Sequence, residues 1–181
     1  MAPLTYGTMY HIQNGYQNWE GGYLDTCGLC SGNYLQVSTS PVPDRDRGSG
    51  TWQILSANGK QTGDVVLAND VIYLLNQWAG GGVGLGGYLD TYGMSGDDYL
   101  DVSTSEFSNR DQGSGTWRIL TELSGGPVNE NDVVHLMNGY TDWNGGFLDS
   151  CGFAPQPNLY NAATSKTWNR IEGSTLWRLA R

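Results

Sequence analysis

The sequence predicts an all-β fold with pseudo-threefold symmetry, made of three four-stranded repeats closed into one body, and three observations predict it. One block recurs three times, as Gly21-Gly22-Tyr23-Leu24-Asp25-Thr26-Cys27-Gly28, Gly86-Gly87-Tyr88-Leu89-Asp90-Thr91-Tyr92-Gly93 and Gly145-Gly146-Phe147-Leu148-Asp149-Ser150-Cys151-Gly152. Upstream of each block, an alternating run ends in an Asn, and Asn14, Asn76 and Asn138 lie 62 residues apart both times. No stretch keeps a 3.6-residue apolar period over three turns without Gly or Pro, which leaves strands as the regular element. A unit repeated three times in 181 residues, each copy too small to bury its own apolar face, points to one closed domain. The repeats run approximately over 1–62, 63–125 and 126–181.

Each repeat offers four short runs rich in β-branched and aromatic residues, separated by Gly, Asn or Pro. The first is Tyr10–Asn14, Ile72–Asn76 and Val134–Asn138 in the three copies. The second follows a Gly pair, which suits a turn needing positive φ or close backbone approach. The third is Tyr34–Thr39, Tyr99–Thr104 and Leu159–Thr164. The fourth opens on Trp52, Trp117 or Trp177, large apolar side chains that must face inward on an alternating strand and so serve as core plugs. About twelve strands in three equal units fit a β-trefoil best. A three-sheet β-prism has the same strand count and stays open.

Composition limits the partners. Nine Lys plus Arg stand against eighteen Asp plus Glu, for a formal net charge of −9. Phosphate backbones and anionic lipid surfaces are bound by clustered cations, so neither nucleic acid nor membrane is an expected partner. Charged residues make up only 15%, while Gly reaches 27 residues and aromatics 12%, unlike a disordered acidic segment, which lacks aromatics. The longest apolar run, Val71 to Leu75, is far short of the roughly 20 residues of a membrane span. Met1-Ala2-Pro3-Leu4-Thr5-Tyr6 carries neither a basic nor an apolar leader region. The expectation is a soluble protein, cytoplasmic or released without a signal peptide. Cys27, Cys30 and Cys151 are odd in number, so no disulfide framework is expected.

The repeat resembles the ricin-B-type family of β-trefoil lectins. The likeness is carried by Leu24-Asp25-Thr26-Cys27-Gly28, Leu89-Asp90-Thr91-Tyr92-Gly93 and Leu148-Asp149-Ser150-Cys151-Gly152, each followed 27 or 28 residues after its Asp by the closing Trp. The resemblance spans nearly the whole chain and implies a sugar-binding module in which Asp25, Asp90 and Asp149 accept hydrogen bonds from sugar hydroxyls. The chain departs from the family two residues before each Trp, where Gly50, Gly115 and Thr175 replace the family's Gln.

A saccharide site needs planar acceptors and donors for vicinal hydroxyls, with an aromatic face for the C–H surface. The first hairpins supply such clusters: Asn14-Gly15-Tyr16-Gln17-Asn18-Trp19-Glu20, Asn76-Gln77-Trp78-Ala79 and Asn138-Gly139-Tyr140-Thr141-Asp142-Trp143-Asn144. The candidate carbohydrate-binding residues are therefore Asp25, Asp90, Asp149, Trp19, Trp143, Tyr16, Trp78 and Tyr140. Alternatives stand beside these roles. Each Asp suits an Asx-type turn capping backbone N–H groups, and Trp19 and Trp143 suit packing over the core edge. Arg45, Arg110 and Arg170 are expected to tie a long loop to backbone carbonyls or a nearby carboxylate.

No catalytic residue, cofactor or metal is expected, and the chain is read as not an enzyme. Gly82-Val83-Gly84-Leu85-Gly86-Gly87 fits a dinucleotide string but opens a strand, not a helix. Cys27-x-x-Cys30 lacks a second Cys/His pair at zinc spacing, and Asp142-Trp143-Asn144-Gly145 lacks the later Glu of a calcium loop. His11 and His135 occupy equivalent strand positions with Tyr73 between them. The expected function is a lectin with up to three pseudo-equivalent sites, multivalent and agglutinating, with a homodimer left open. The alternatives are a β-trefoil proteinase inhibitor acting through Pro41–Arg45, or the receptor-binding part of a toxin.

Overall fold

The computed structural model describes residues 1–80, 86–96, 98–122 and 125–181. Among the described residues, twelve strands are present. The first repeat gives β1 (Met9–Asn14), β2 (Tyr23–Leu29), β3 (Leu35–Ser40) and β4 (Trp52–Ser56). The second gives β5 (Val71–Asn76), β6 (Tyr88–Met94), β7 (Leu100–Ser105) and β8 (Trp117–Thr121). The third gives β9 (Val134–Asn138), β10 (Phe147–Phe153), β11 (Tyr160–Ser165) and β12 (Trp177–Ala180).

The pairing is that of a β-trefoil. Strands β1, β12, β9, β8, β5 and β4 pair antiparallel in a closed ring, β4 returning to β1 through Met9 opposite Gln53. Closure removes every edge from that barrel. The hairpins β2–β3, β6–β7 and β10–β11 cap one end, and β3, β7 and β11 pair with one another around the pseudo-threefold axis.

Symmetry-related residues fill the interior in triads. Trp52, Trp117 and Trp177 are fully buried, and each indole N–H donates to the carbonyl oxygen of the Leu before a repeated Asp: Leu24 at 2.8 Å, Leu89 at 2.9 Å and Leu148 at 2.9 Å. The plug thus satisfies its polar edge inside the core. The second glycine of each pair has positive φ (Gly22 86°, Gly87 80°, Gly146 87°), and its carbonyl accepts from the Asn14, Asn76 or Asn138 amide. A Cβ on Gly22 would lie 2.7 Å from the Ser40 carbonyl oxygen, so both needs foreseen for the pair apply there.

The end of the barrel opposite the hairpins is closed by a feature with no counterpart in the sequence analysis. Leu4 N–H donates to Val128 at 2.7 Å, Val128 N–H to Val66 at 2.9 Å, and Val66 N–H to Leu4 at 2.9 Å. The three bonds form a cycle, and all three side chains are fully buried. The stretch before β5 supplies one arm of it through Val66. The glycine-rich string that fits a dinucleotide motif lies outside the described residues at 82–85. Among the described residues, no helix is long and apolar enough to cross a membrane.

Candidate functional site

Asp25, Asp90 and Asp149, the expected acceptors for sugar hydroxyls, are fully buried. Their partners are internal. Arg45 Nε donates to Asp25 Oδ2 at 3.0 Å, Arg110 Nε to Asp90 Oδ2 at 3.0 Å and Arg170 Nε to Asp149 Oδ2 at 2.6 Å. Each guanidinium also donates through Nη2 to the carbonyl of the following residue, Thr26, Thr91 or Ser150. The loop before each closing Trp is thereby tied to the strand, and the carboxylate acts through arginine rather than as a turn cap. A buried carboxylate needs such a partner, because an unpaired charge away from water is far costlier than a paired one. The other oxygen of each, Oδ1, is buried without a hydrogen-bond partner.

Trp19 and Trp143 are half-buried, and a guanidinium covers each: Arg178 Cζ lies 4.4 Å from the Trp19 ring centroid and Arg118 Cζ 3.9 Å from that of Trp143. Three successive left-handed residues, Gln17, Asn18 and Trp19, and their counterparts Thr141, Asp142 and Trp143, fold each indole back toward β12 or β8. The ring then packs over the barrel edge under its arginine.

Tyr16, Trp78 and Tyr140 behave differently. Each follows its Asn by two residues and donates its backbone N–H to that Asn Oδ1, at 3.1, 3.0 and 3.1 Å. The same Asn reaches back into the preceding unit. Asn76 Nδ2 donates to Ser49 at 2.8 Å, Asn138 Nδ2 to Ser114 at 2.8 Å and Asn14 Nδ2 to Ser174 at 2.7 Å. A Thr or Ser hydroxyl of that unit, on Thr26, Thr91 or Ser150, donates to the Asn Oδ1 in return. The aromatic residue of one unit is therefore set against the strand end and arginine of the unit before it.

Two boundaries hold cavities with corresponding linings. A cavity of about 370 Å³ is lined by Thr91, Tyr92, Gly93, Met94, Tyr99, Leu100, Arg110, Asp111 and Tyr140. One of about 180 Å³ is lined by Ser150, Gly152, Phe153, Tyr160, Arg170, Ile171 and Tyr16. In the smaller, Tyr16 meets Tyr160 edge-on at 5.3 Å, and Phe153 stacks on Tyr160 at 5.7 Å. In the larger, the Arg110 guanidinium sits 4.8 Å from the Tyr92 ring centroid. At the boundary of the first and second units, the Trp78 indole N–H donates to Asp46 Oδ2 at 3.4 Å. Asp46 corresponds in the repeat to Asp111 and Ile171.

Met94, Phe153 and their equivalent Leu29 were missed. They are 69%, 85% and 80% exposed, an unusual state for large apolar side chains held at one symmetric position. A β-bulge after Thr26, Thr91 and Ser150 shifts the register and turns them outward. The readable signal was an apolar residue four positions after each repeated Asp. The proposed inhibitory loop is exposed over Pro41–Asp44, but Arg45 at its end is held inward on Asp25 and Thr26, as Arg110 and Arg170 are in the other units.

Neither a family model nor a curated protein sequence matches the chain. Solved structures do. The SDF2-like protein from Arabidopsis thaliana superposes with a TM-score of 0.76 at 16% identity, over 99% of this chain and 96% of that one. The protein O-mannosyltransferase Pmt1-Pmt2 complex of S. cerevisiae, bound to the sugar donor, gives 0.73 at 17% identity over 99% of this chain and 25% of that chain. The ligand binding domain of botulinum neurotoxin serotype D, in complex with N-acetylneuraminic acid, gives 0.62 at 14% identity over 98% of this chain and 42% of that chain. At these identities the likeness is one of fold.

Proposed function

We propose that this protein is a lectin that takes glycans at up to three unit boundaries, each site pairing Tyr16, Trp78 or Tyr140 with the strand end and arginine of the preceding unit. The observation that carries the reading is the pair of corresponding cavities, each with aromatic side chains beside an arginine. Aromatic faces suit the C–H surface of a sugar ring, and fixed donors and acceptors suit its hydroxyls. Two of the superposing structures lend support, since one holds a bound sugar donor and the other N-acetylneuraminic acid. The ricin-B type shares the Leu-Asp-x-x-Gly motif and the closing Trp with this chain, and in this reading the sugar contact lies at the boundary aromatics rather than at the Asp.

Binding without catalysis is part of the proposal. Cleavage of a glycosidic bond uses a pair of carboxyl groups, whereas among the described residues the lining of the cavity at Tyr16 has no carboxylate and that at Tyr140 has only Asp111. Three sites on one rigid body would raise avidity by about 10² to 10⁴ where a surface allows simultaneous engagement. The test is a glycan-array screen with free-sugar competition. Saturable, competable binding to a related set of glycans is expected, and a blank array with folded protein would overturn the reading.

A further inference from the structure

The seams between the three hairpins repeat one hydrogen-bonded contact, and one copy carries Asp98 in place of the Asn and Ala163 in place of the facing Ser38 or Ser103. Asn33 of the first unit donates through Nδ2 to Asp90 Oδ2 of the second at 2.8 Å, and to Ser103 Oγ at 2.8 Å. Asn158 of the third unit donates to Asp25 Oδ2 of the first at 3.0 Å and to Ser38 Oγ at 2.5 Å. The equivalent residue facing Asp149 across the seam between the second and third units is Asp98. Its backbone setting is the same. Tyr99 N–H donates to Thr164 at 2.9 Å, as Tyr34 N–H does to Thr104 at 3.0 Å and Leu159 N–H to Thr39 at 2.7 Å.

An amide can donate to a carboxylate as it stands, whereas a carboxyl group can do so only while it holds its proton. The Asp98 side chain is 11% exposed and that of Asp149 fully buried, so two bare carboxylates in contact would lack the solvent that screens like charges. We propose that Asp98 is a proton-operated latch between the second and third units. Protonated, it donates its O–H to Asp149 and reproduces the Asn-to-Asp bond of the other two seams, while the bond to Ser has no counterpart because Ala163 stands there. On losing that proton to solvent, it faces Asp149 as a like charge and the seam loosens.

Among the described residues, the groups facing Asp98 are few. Asp149 and Cys151 come from β10, with the polar atoms of the three side chains within 4.8 Å of one another. Arg170, from the loop before β12, lies 3.5 Å from Asp98 Oδ2 and is committed to Asp149 at 2.6 Å. On its own loop, Asp98 is followed by Tyr99, over whose ring Lys166 Nζ sits at 4.4 Å. Burial, then the hydrogen bond and like charge of Asp149, push the Asp98 carboxyl up from 3.8 to about 8, with Arg170 opposing. Between those two values the folded chain holds a proton that the unfolded chain has released, so stability falls as pH rises through that window. Arg170 also lines the cavity at Tyr16, and the latch therefore sets the charge behind one of the three boundary sites and not the other two.

The test is a pH titration of the carboxyl ¹³C resonances of aspartate-labelled protein, assigned by through-bond correlation, beside denaturant unfolding of the wild type and Asp98→Asn from pH 5 to pH 9. The Asp98 resonance is expected to titrate near pH 8, and the unfolding midpoint of Asp98→Asn to exceed that of the wild type by a margin that widens with pH. An Asp98 resonance that titrates near 4, or a margin that does not change with pH, overturns the latch. Neither readout involves a sugar, so failure here is separable from failure of the lectin reading.

Discussion

Asn14 donates its side-chain amide to the carbonyl oxygen of Ser174, 2.7 Å away and 160 residues later in the chain. The contact joins the first unit to the third and closes the ring of boundaries that Asn76 and Asn138 form within the chain. Because Asn14 is fully buried and also accepts from Tyr16 N–H and Ser150 Oγ, its removal strands several polar groups at once. Asn14→Ala is expected to destabilise the fold by about 2–4 kcal/mol, more than one net hydrogen bond and close to the cost of leaving buried partners unmade. The denaturant midpoint measures it, and a loss below about 0.5 kcal/mol, the low end for one net bond, would mean that the closure contributes little.

The buried ion pairs give a second expectation. Asp90→Ala leaves Arg110 and the Asn33 amide without their shared acceptor, and breaking a buried pair from one side costs about 3–5 kcal/mol. Thermal unfolding should show the loss with or without sugar. An Asp90→Ala protein of unchanged stability that loses only glycan binding would return the carboxylate to the ligand.

The parts of this architecture that were legible in the sequence are those written as local patterns. Trp52, the Gly21-Gly22 pair and Asn14 recur with their strands, and their recurrence pointed to the trefoil while leaving a β-prism open. The site was harder to read because its members come from different units. Tyr140 shares a cavity with Arg110 only after the hairpins assemble, and the partner of Asp25 lies 20 residues on, in a loop without periodicity. The Leu4, Val66 and Val128 cycle joins single residues in irregular segments that carry no alternation to detect. Asp98 reads as an ordinary loop acid until the Asn33 and Asn158 contacts reveal what its position requires.

His135 supplies a pH expectation of opposite sign to that of Asp98. It is 3% exposed, its ring lies 3.7 Å from that of Trp168, and its Nδ1 is buried without a partner. Burial lowers its pKa from 6.5 to about 4. The unfolded chain gains a proton there between those values and the folded chain does not, so stability falls as pH drops from 6.5 to 4. His135→Tyr, which copies Tyr73 of the middle unit, should lose less stability over that window by on the order of 2–3 kcal/mol. Parallel pH profiles of the two proteins would refute the assignment.

The boundary aromatics are expected to act on binding rather than folding, since Tyr16, Trp78 and Tyr140 are only partly buried. Tyr140→Ala should weaken its own site about tenfold, a difference of about 1.4 kcal/mol, with a far smaller effect on the other two. Isothermal titration against a monovalent sugar identified by the array reads this as a change in one class of sites.

The placement of the sites at the unit boundaries is tested most directly by comparing two multiple variants on one glycan array. Tyr16→Ala/Trp78→Ala/Tyr140→Ala changes the three boundary aromatics, and Trp19→Ala/Trp143→Ala changes the two indoles packed under Arg178 and Arg118. The account predicts that the folded triple variant loses saturable binding while the folded double variant keeps the wild-type glycan pattern. Binding that survives the triple variant and disappears with the double would contradict it.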